Sequence, residues 1–346
     1  MTMRCEVLNP LKVANWDDLL SPHPDANFFH TQSWAKVLSE TYGYEPEYFS
    51  VFAEDKLIFL LPMMEVRSLL TGRRGVSLPF TDYVQPLVTC VDGLQEIWPD
   101  LVEHAKKSRW QHIDLRGDSF TQTASTVYES FYQHEIRLEK EPKQLFQRLS
   151  SNNKRNIKKV LQNGVEIEIR DDVSAVDEFY NLNAITRKRH GVPSQPYVFF
   201  KNLFKSISSD GRGIVVLAKK DGTVVAASVY LFLGDNAIYK YGASNKEAGA
   251  LRANNLVMWE AINWLSKRGF KSLNLGRTDK DNLGLLRYKN GWAAEQRTIN
   301  YYRYSVNENR FVAKKQGSCS LGTRFFRTAP VAVSNILGGV LYRHVG

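Results

Sequence analysis

The spacing of apolar positions changes several times along the chain, and each change marks an element. Residues 48–53 and 57–66 are two strand-like runs on either side of Glu54-Asp55, which predicts a tight turn between them. The pattern returns at 214–218, 223–233 and 237–241, with Asp221-Gly222 as a hairpin turn. Helical spacing marks a segment around Trp34 to Leu38, with Thr31 and Ser33 as candidate caps, and then 94–107 and the basic stretch 142–163. Further helices are predicted at 174–189, with Val176, Phe179, Tyr180 and Leu182 on one face and Gly191 closing it, and at 197–207 and 254–268. Short strands are predicted at 112–115 before Gly117, at 165–169, and at 272–275 before Gly276. Residues 72–86, punctuated by Pro and Gly, read as loops and short edge strands.

The order hairpin, helix, strand occurs twice. Residues 48–57 parallel 213–222, and the helix leading to His112-Ile113-Asp114-Leu115 parallels the helix leading to Ser272-Leu273-Asn274-Leu275. This predicts a duplicated α/β unit on mixed sheets. The expected boundaries are 1–140 for the first domain, 141–310 for the second and 311–346 for a basic tail. The tail ends in a run at 329–342 that is too short to span a bilayer. It either docks on the first domain or lies on a membrane surface. Gly338-Gly339 should break a long amphipathic helix, which favours docking.

Composition narrows the classes. With 346 residues, 43% hydrophobic and 12% aromatic, the chain has enough apolar material for two cores and is not a disordered polymer. A net charge of +10 points to anionic partners: nucleic acid, nucleotide-linked sugars or an anionic membrane face. Cys5, Cys90 and Cys319 are far apart and form no framework, which fits a reducing cytoplasm. Residues 1–10 carry no basic n-region and no apolar h-region, so no signal peptide is expected, and no apolar run reaches about 18 residues. There is no metal-ligand cluster, P-loop, GxGxxG after a strand, or GxSxG elbow. His190 reads as a helix-end residue as readily as a catalytic one. The basic helix carrying Lys154, Arg155, Lys158 and Lys159 lacks interleaved aromatics and reads as a solvated face.

One stretch has the outline of a transfer centre. The 272–275 strand ends in Leu275-Gly276, a polar loop follows, and Arg287-Tyr288-Lys289 comes behind it. Most lysines are solvated. This one follows a strand end, where α/β sheets collect ligands. Tyr288 should face the core and Arg287 the solvent.

Four stretches together resemble the FemAB/FemX group of non-ribosomal peptidyltransferases. They are Gln32-Ser33-Trp34-Ala35-Lys36-Val37, the basic helix into Asn163-Gly164-Val165-Glu166-Ile167, Arg187-Lys188-Arg189-His190-Gly191-Val192, and the Leu275-Gly276 strand leading to Lys289. Their order and spacing agree over about residues 25–305. The resemblance implies an α/β fold of tandem GNAT-like domains. It implies an aminoacyl or acyl transferase forming an amide on a nucleotide- or lipid-linked cell-envelope precursor. It implies aminoacyl-tRNA as donor, with no bound cofactor or metal. Lys36 and Arg189 match the cations that hold the precursor diphosphate and are expected to share one cleft. Lys289 matches the lysine at the transfer centre. Tyr241 sits where the family uses aromatics near the acceptor, and Asp118 lies near a domain-one aspartate.

The chain lacks the long charged helical hairpin of the larger family members and so resembles the shorter FemX form. Phe29-His30-Thr31 and Ser77-Leu78-Pro79-Phe80 are more similar to relatives in exopolysaccharide clusters, so the acceptor class extends beyond peptidoglycan. The competing reading is an acetyl-CoA-dependent GNAT acting on an amino sugar. Such an enzyme cradles the CoA pyrophosphate with backbone amides in an [Arg/Gln]-x-x-Gly-x-[Gly/Ala] loop. Lys246-Glu247-Ala248-Gly249-Ala250-Leu251 keeps one glycine of it and loses the flanking requirements. A nucleic-acid-binding protein is suggested by charge alone, and no recognised module supports it. No residue stands out as a general base.

Overall fold

The computed structural model describes residues 5–89, 93–120, 123–314 and 326–346. Cys90, Cys319 and the Gly-Ser stretch at 315–325 lie outside them. The chain forms two compact units: Met1–Phe131 with Thr298–Gly317 and Leu341–Gly346, and Tyr132–Arg297 with Ser318–Val340. This division differs from the expected 140 and 310. The chain changes unit inside the strand Glu129–Arg137 and returns inside the strand Glu295–Ser305. A continuous strand has no Pro/Gly punctuation at such a point, so composition does not mark it.

In the first unit, Cys5–Leu8, Tyr48–Ala53, Lys56–Leu61 and Leu87–Val88 form an antiparallel sheet in that order. The expected strand 57–66 is two strands. Pro62 has no N–H for a ladder, and after it Met64–Ser68 pairs with Gly72–Val76 in another sheet. Gly72–Val76 then pairs in parallel with His112–Arg116 across the helix Gly93–Lys107. Parallel neighbours require such a crossover. Gly75 is needed there because the Trp110 ring covers it: a Cβ would lie 2.0 Å from the ring. Trp110 Nε1 donates to the buried Glu65 carboxylate at 2.8 Å. Phe49, Phe59, Leu101, Ile113 and Tyr302 pack with it into the core.

The second unit repeats the plan. Glu166–Arg170, Gly213–Lys220, Thr223–Leu233 and Asn236–Ser244 are antiparallel neighbours. The helix Ala253–Lys267 then carries the chain to Ser272–Thr278, parallel to Asn236–Ser244. Residues 132–137 close the order. Ile214, Val216 and Ala218 face a core shared with Leu256, Ile262 and Leu265 of that helix. The alternate residues Val215 and Leu217 are equally buried, so the strand is apolar on both faces.

The stretch 142–163 is two helices, Pro142–Arg148 and Ser151–Gln162, because Ser150 caps the second by accepting from Asn153 N. The C-terminal helix Val331–Val345 runs through Gly338-Gly339 instead of breaking there. Gly338 lies against the Ser194 carbonyl, where a Cβ would come within 2.1 Å. The glycine serves close approach, and the helix tolerates it. Among the described residues, no helix is long and apolar enough to cross a membrane, and no side-chain cluster suits a metal ion.

Candidate functional site

The sheet of the second unit opens at one point. Asn236–Ser244 and Ser272–Thr278 pair over three residues only, Asn236 with Ser272, Ala237 with Leu273 and Ile238 with Asn274. Both strands continue beyond this without pairing to each other. Each also carries an irregularity there. Lys240 is the extra residue opposite Val229/Tyr230, and Leu275-Gly276 interrupts the ladder with Glu129–Arg137. Such bulges re-aim side chains and end pairing. Gly276 has φ +70°, and Asn274 Oδ1 accepts from Gly276 N at 2.8 Å in place of a ladder bond.

Lys289 sits behind this bulge. It lies on the helix Leu283–Asn290, which Asn282 caps through Leu285 N. The Lys289 side chain is directed inward and is only 4% exposed. Its Nζ donates to the carbonyls of Gly276 at 2.9 Å and Arg277 at 3.0 Å. Arg287 is exposed, while Tyr288 packs on Trp292 and donates to Asn254 O. A buried ammonium is sustained only by good acceptors, and the bulged strand end supplies them as backbone oxygens.

Sequence reasoning missed the opposing strand. Gln133 and His134 are buried there, with Thr278 across from Tyr132. Gln133 Oε1 accepts from Arg297 Nε at 2.6 Å, and His134 Nε2 pairs with Gln296 Oε1 at 3.2 Å. Burial, and then the charge of Lys289, lower the His134 imidazole from its ordinary pKa. Among the described residues, Gln133 Nε2, His134 Nδ1 and Thr278 Oγ1 have no hydrogen-bond partner. The only signal was a polar Gln-His pair inside the run Phe131 to Ile136, near the end of the first predicted domain.

Arg189 is exposed on the last turn of the helix Val176–His190. That turn is fastened to the end of Asn236–Ser244: Thr186 Oγ1 donates to Ser244 O and accepts from Ser244 N. Arg189 Nη2 reaches Ser244 Oγ at 3.3 Å. Arg189 and Lys289 therefore stand at the carboxyl ends of the two strands that part. Tyr241 lies on the first of these strands. Its ring packs on Phe199 and Phe200, and its hydroxyl donates to Gln195 Oε1 at 2.8 Å.

Lys36 and Asp118 belong to the first unit. Lys36 is exposed on the helix Gln32–Tyr42, 3.9 Å from Glu40. Asp118 accepts from Asn300 N at 2.9 Å, while Gly117 N donates to Asn300 O, so the pair brackets a strand end. Lys246–Leu251, the segment aligned with a CoA loop, is a helix capped by Asn245, and Asn245 Oδ1 already holds Ala248 N.

Residues 147–290 match the family described as acetyltransferase (GNAT) domain. Over 132 residues the chain is 24% identical to a UDP-N-acetylmuramoylpentapeptide-lysine N(6)-alanyltransferase of Weissella viridescens. That match covers 38% of this chain and 39% of the relative's length. Among solved structures, FemX aligns at TM-score 0.70 with 14% identity, covering 86% of this chain and 97% of that one. A tandem GNAT protein from the clavulanic acid pathway aligns at 0.56 with 10% identity, covering 88% and 98%. L-PGS from Bacillus licheniformis aligns at 0.56 with 12% identity, covering 95% and 96%. The shared fold is two GNAT-like units in one chain, with mixed, mostly antiparallel sheets and flanking helices.

Proposed function

We propose that this chain, a FemX-like tandem-GNAT acyltransferase, moves an aminoacyl group from a charged tRNA to an amine on a cell-envelope or polysaccharide precursor. The observation that carries the reading is the buried ammonium of Lys289 on the carbonyls of a bulged, splayed strand end. In the proposed step the acceptor nitrogen bonds to the aminoacyl carbonyl carbon, the ester C–O bond breaks, and the tRNA ribose oxygen leaves with a proton. Charge collects on the carbonyl oxygen in between. A preorganised cation stabilises that charge without reorganising at the moment of reaction. Lys36 and Arg189 are the proposed ligands of a precursor diphosphate, because arginine offers a planar fork and lysine a point charge. Tyr241 and Asp118 complete the proposed acceptor contacts.

The second reading, acetyl transfer from acetyl-CoA to an amino sugar, is favoured by the GNAT family match over 147–290. The stretch Lys246–Leu251 counts against it, since it keeps one glycine of the CoA-binding loop and loses the flanking residues. The deciding experiment supplies purified protein and an amine-bearing nucleotide-linked acceptor with either labelled aminoacyl-tRNA or labelled acetyl-CoA. Label transfer from tRNA is expected. Transfer from acetyl-CoA alone would replace the first reading by the second.

Lys36→Met and Arg189→Met are each expected to raise KM for the precursor by about tenfold or more, with turnover little changed. Ground-state phosphate contacts of this kind are uniform binding. Steady-state kinetics with the precursor varied checks this, and an unchanged KM for both variants removes them from the binding site.

A further inference from the structure

The C-terminal helix Val331–Val345 is amphipathic in the wrong sense for a helix packed on a protein core. The residues it buries are Ser334 and Gly338. Ile336 is 70% exposed, Val340 56% and Val333 40%. At 3.6 residues per turn, Ala332, Val333, Ile336, Val340 and Arg343 fall on one stripe about 100° wide. That is the width of an ordinary core-facing stripe, turned outward.

A second apolar feature adjoins the end of this helix. Leu69 and Leu70, at the turn between Met64–Ser68 and Gly72–Val76, are 100% and 69% exposed. The turn is fastened to the last helical residues. Thr71 Oγ1 donates to His344 O at 2.9 Å, and Arg74 Nη2 donates to the carbonyls of His344 and Val345 at 3.0 and 2.8 Å. Val345 is itself 62% exposed.

Charge identifies the occupant. From Phe311 to Gly346 the sequence carries Lys314, Lys315, Arg324, Arg327 and Arg343 and has no Asp or Glu. Arg327 and Arg343 are exposed on the described part. Protein interfaces concentrate their energy in Trp, Tyr and Arg anchors, and apart from Arg343 this stripe is aliphatic. Aliphatic side chains beside exposed arginines, in a stretch with no acidic residue, are the composition of a helix that lies in the headgroup region of an anionic bilayer. We infer that this helix face seats on an anionic lipid surface, with the stripe at the acyl boundary and the arginines among the headgroups. The docking stands on the surface itself. Its use in reaching a lipid-carried acceptor rests on the proposed transferase reading.

Flotation with vesicles of phosphatidylcholine alone, and of phosphatidylcholine mixed with phosphatidylglycerol, tests it. The full chain is expected to float with the anionic vesicles only, and less so in high salt. Ile336→Asp/Val340→Asp should lower partitioning by more than about tenfold. Arg327→Gln and Arg343→Gln should each lower it about fivefold. Melting temperatures should stay unchanged, because these side chains are exposed. Failure of the wild type to bind anionic vesicles overturns the inference, as does binding that the double Asp variant leaves intact. A lipid-free dimer that the double Asp variant dissociates also overturns it and assigns the stripe to a second copy. Transfer to a water-soluble acceptor separates the two claims: the double Asp variant should keep it. Vesicle binding by a wild type that transfers nothing would leave the docking standing and remove the transferase reading.

Discussion

Lys289→Met lowers turnover and kcat/KM together by about a hundredfold to a thousandfold, with the precursor KM almost unchanged, which is the value of one oxyanion donor. Two carbonyls of a bulged strand end fix the ammonium, so the donor is positioned before substrate arrives. Met is close to Lys in length and removes the charge. It also leaves the carbonyls of Gly276 and Arg277 without this donor, at a cost of about 1–3 kcal/mol each where they stay dry. A melting curve therefore accompanies the kinetics. The kinetic assay uses protein shown to be folded, so that loss of rate is separated from loss of fold. Folded Lys289→Met with near-normal turnover would make the lysine a structural strut and place the chemistry elsewhere. A loss that appears only in KM would make it a binding group.

Acidification from about pH 6.5 to 4 destabilises the first unit through His30. This imidazole is fully buried, its Nδ1 accepts from Asn27 N, and its Nε2 meets Gln85 O at 2.9 Å. Burial pushes its pKa down to about 4. Protonation at Nδ1 would also break the capping box that fixes Phe28–His30. The unfolded imidazole takes its proton near pH 6.5 and the folded one near 4, so the unfolded state binds more protons in that window. The stability is complete above the unfolded pKa and falls as pH drops, by about 3 kcal/mol in total. Asp114 acts lower. Burial raises its pKa, but the His112 ring 3.5 Å away and the hydrogen-bonded Arg303 guanidinium outweigh that and hold it at about 2, so its contribution is lost only below the ordinary carboxylate range. Urea unfolding at several pH values should show the His30 slope, and His30→Gln should flatten it. An equal slope in the variant would assign the acid sensitivity to other groups.

Apart from the strands Glu129–Arg137 and Glu295–Ser305, the sequence by itself determined most of the elements, their order, their repetition and the stretch around Lys289. Those rest on local causes: apolar period, a cap such as Thr31, a closing glycine such as Gly191. It also placed Tyr288 toward the core and Arg287 toward solvent, where the structure has them. Only the tertiary structure decided what Lys289 meets, because the Gly276 and Arg277 carbonyls are aimed by a mismatch with another strand, Glu129–Arg137, far away in sequence. A bulge at Lys240 likewise sends Tyr239 to Tyr230 on one face and Tyr241 to Phe200 on the other, against the period of two. The chain changes units inside Glu129–Arg137 and Glu295–Ser305 because ladder partners, not composition, assign a strand to a sheet. The helix through Gly338-Gly339 has the same kind of cause. Glycine is a local breaker, and its neighbour Ser194, distant in the chain, made it a contact point.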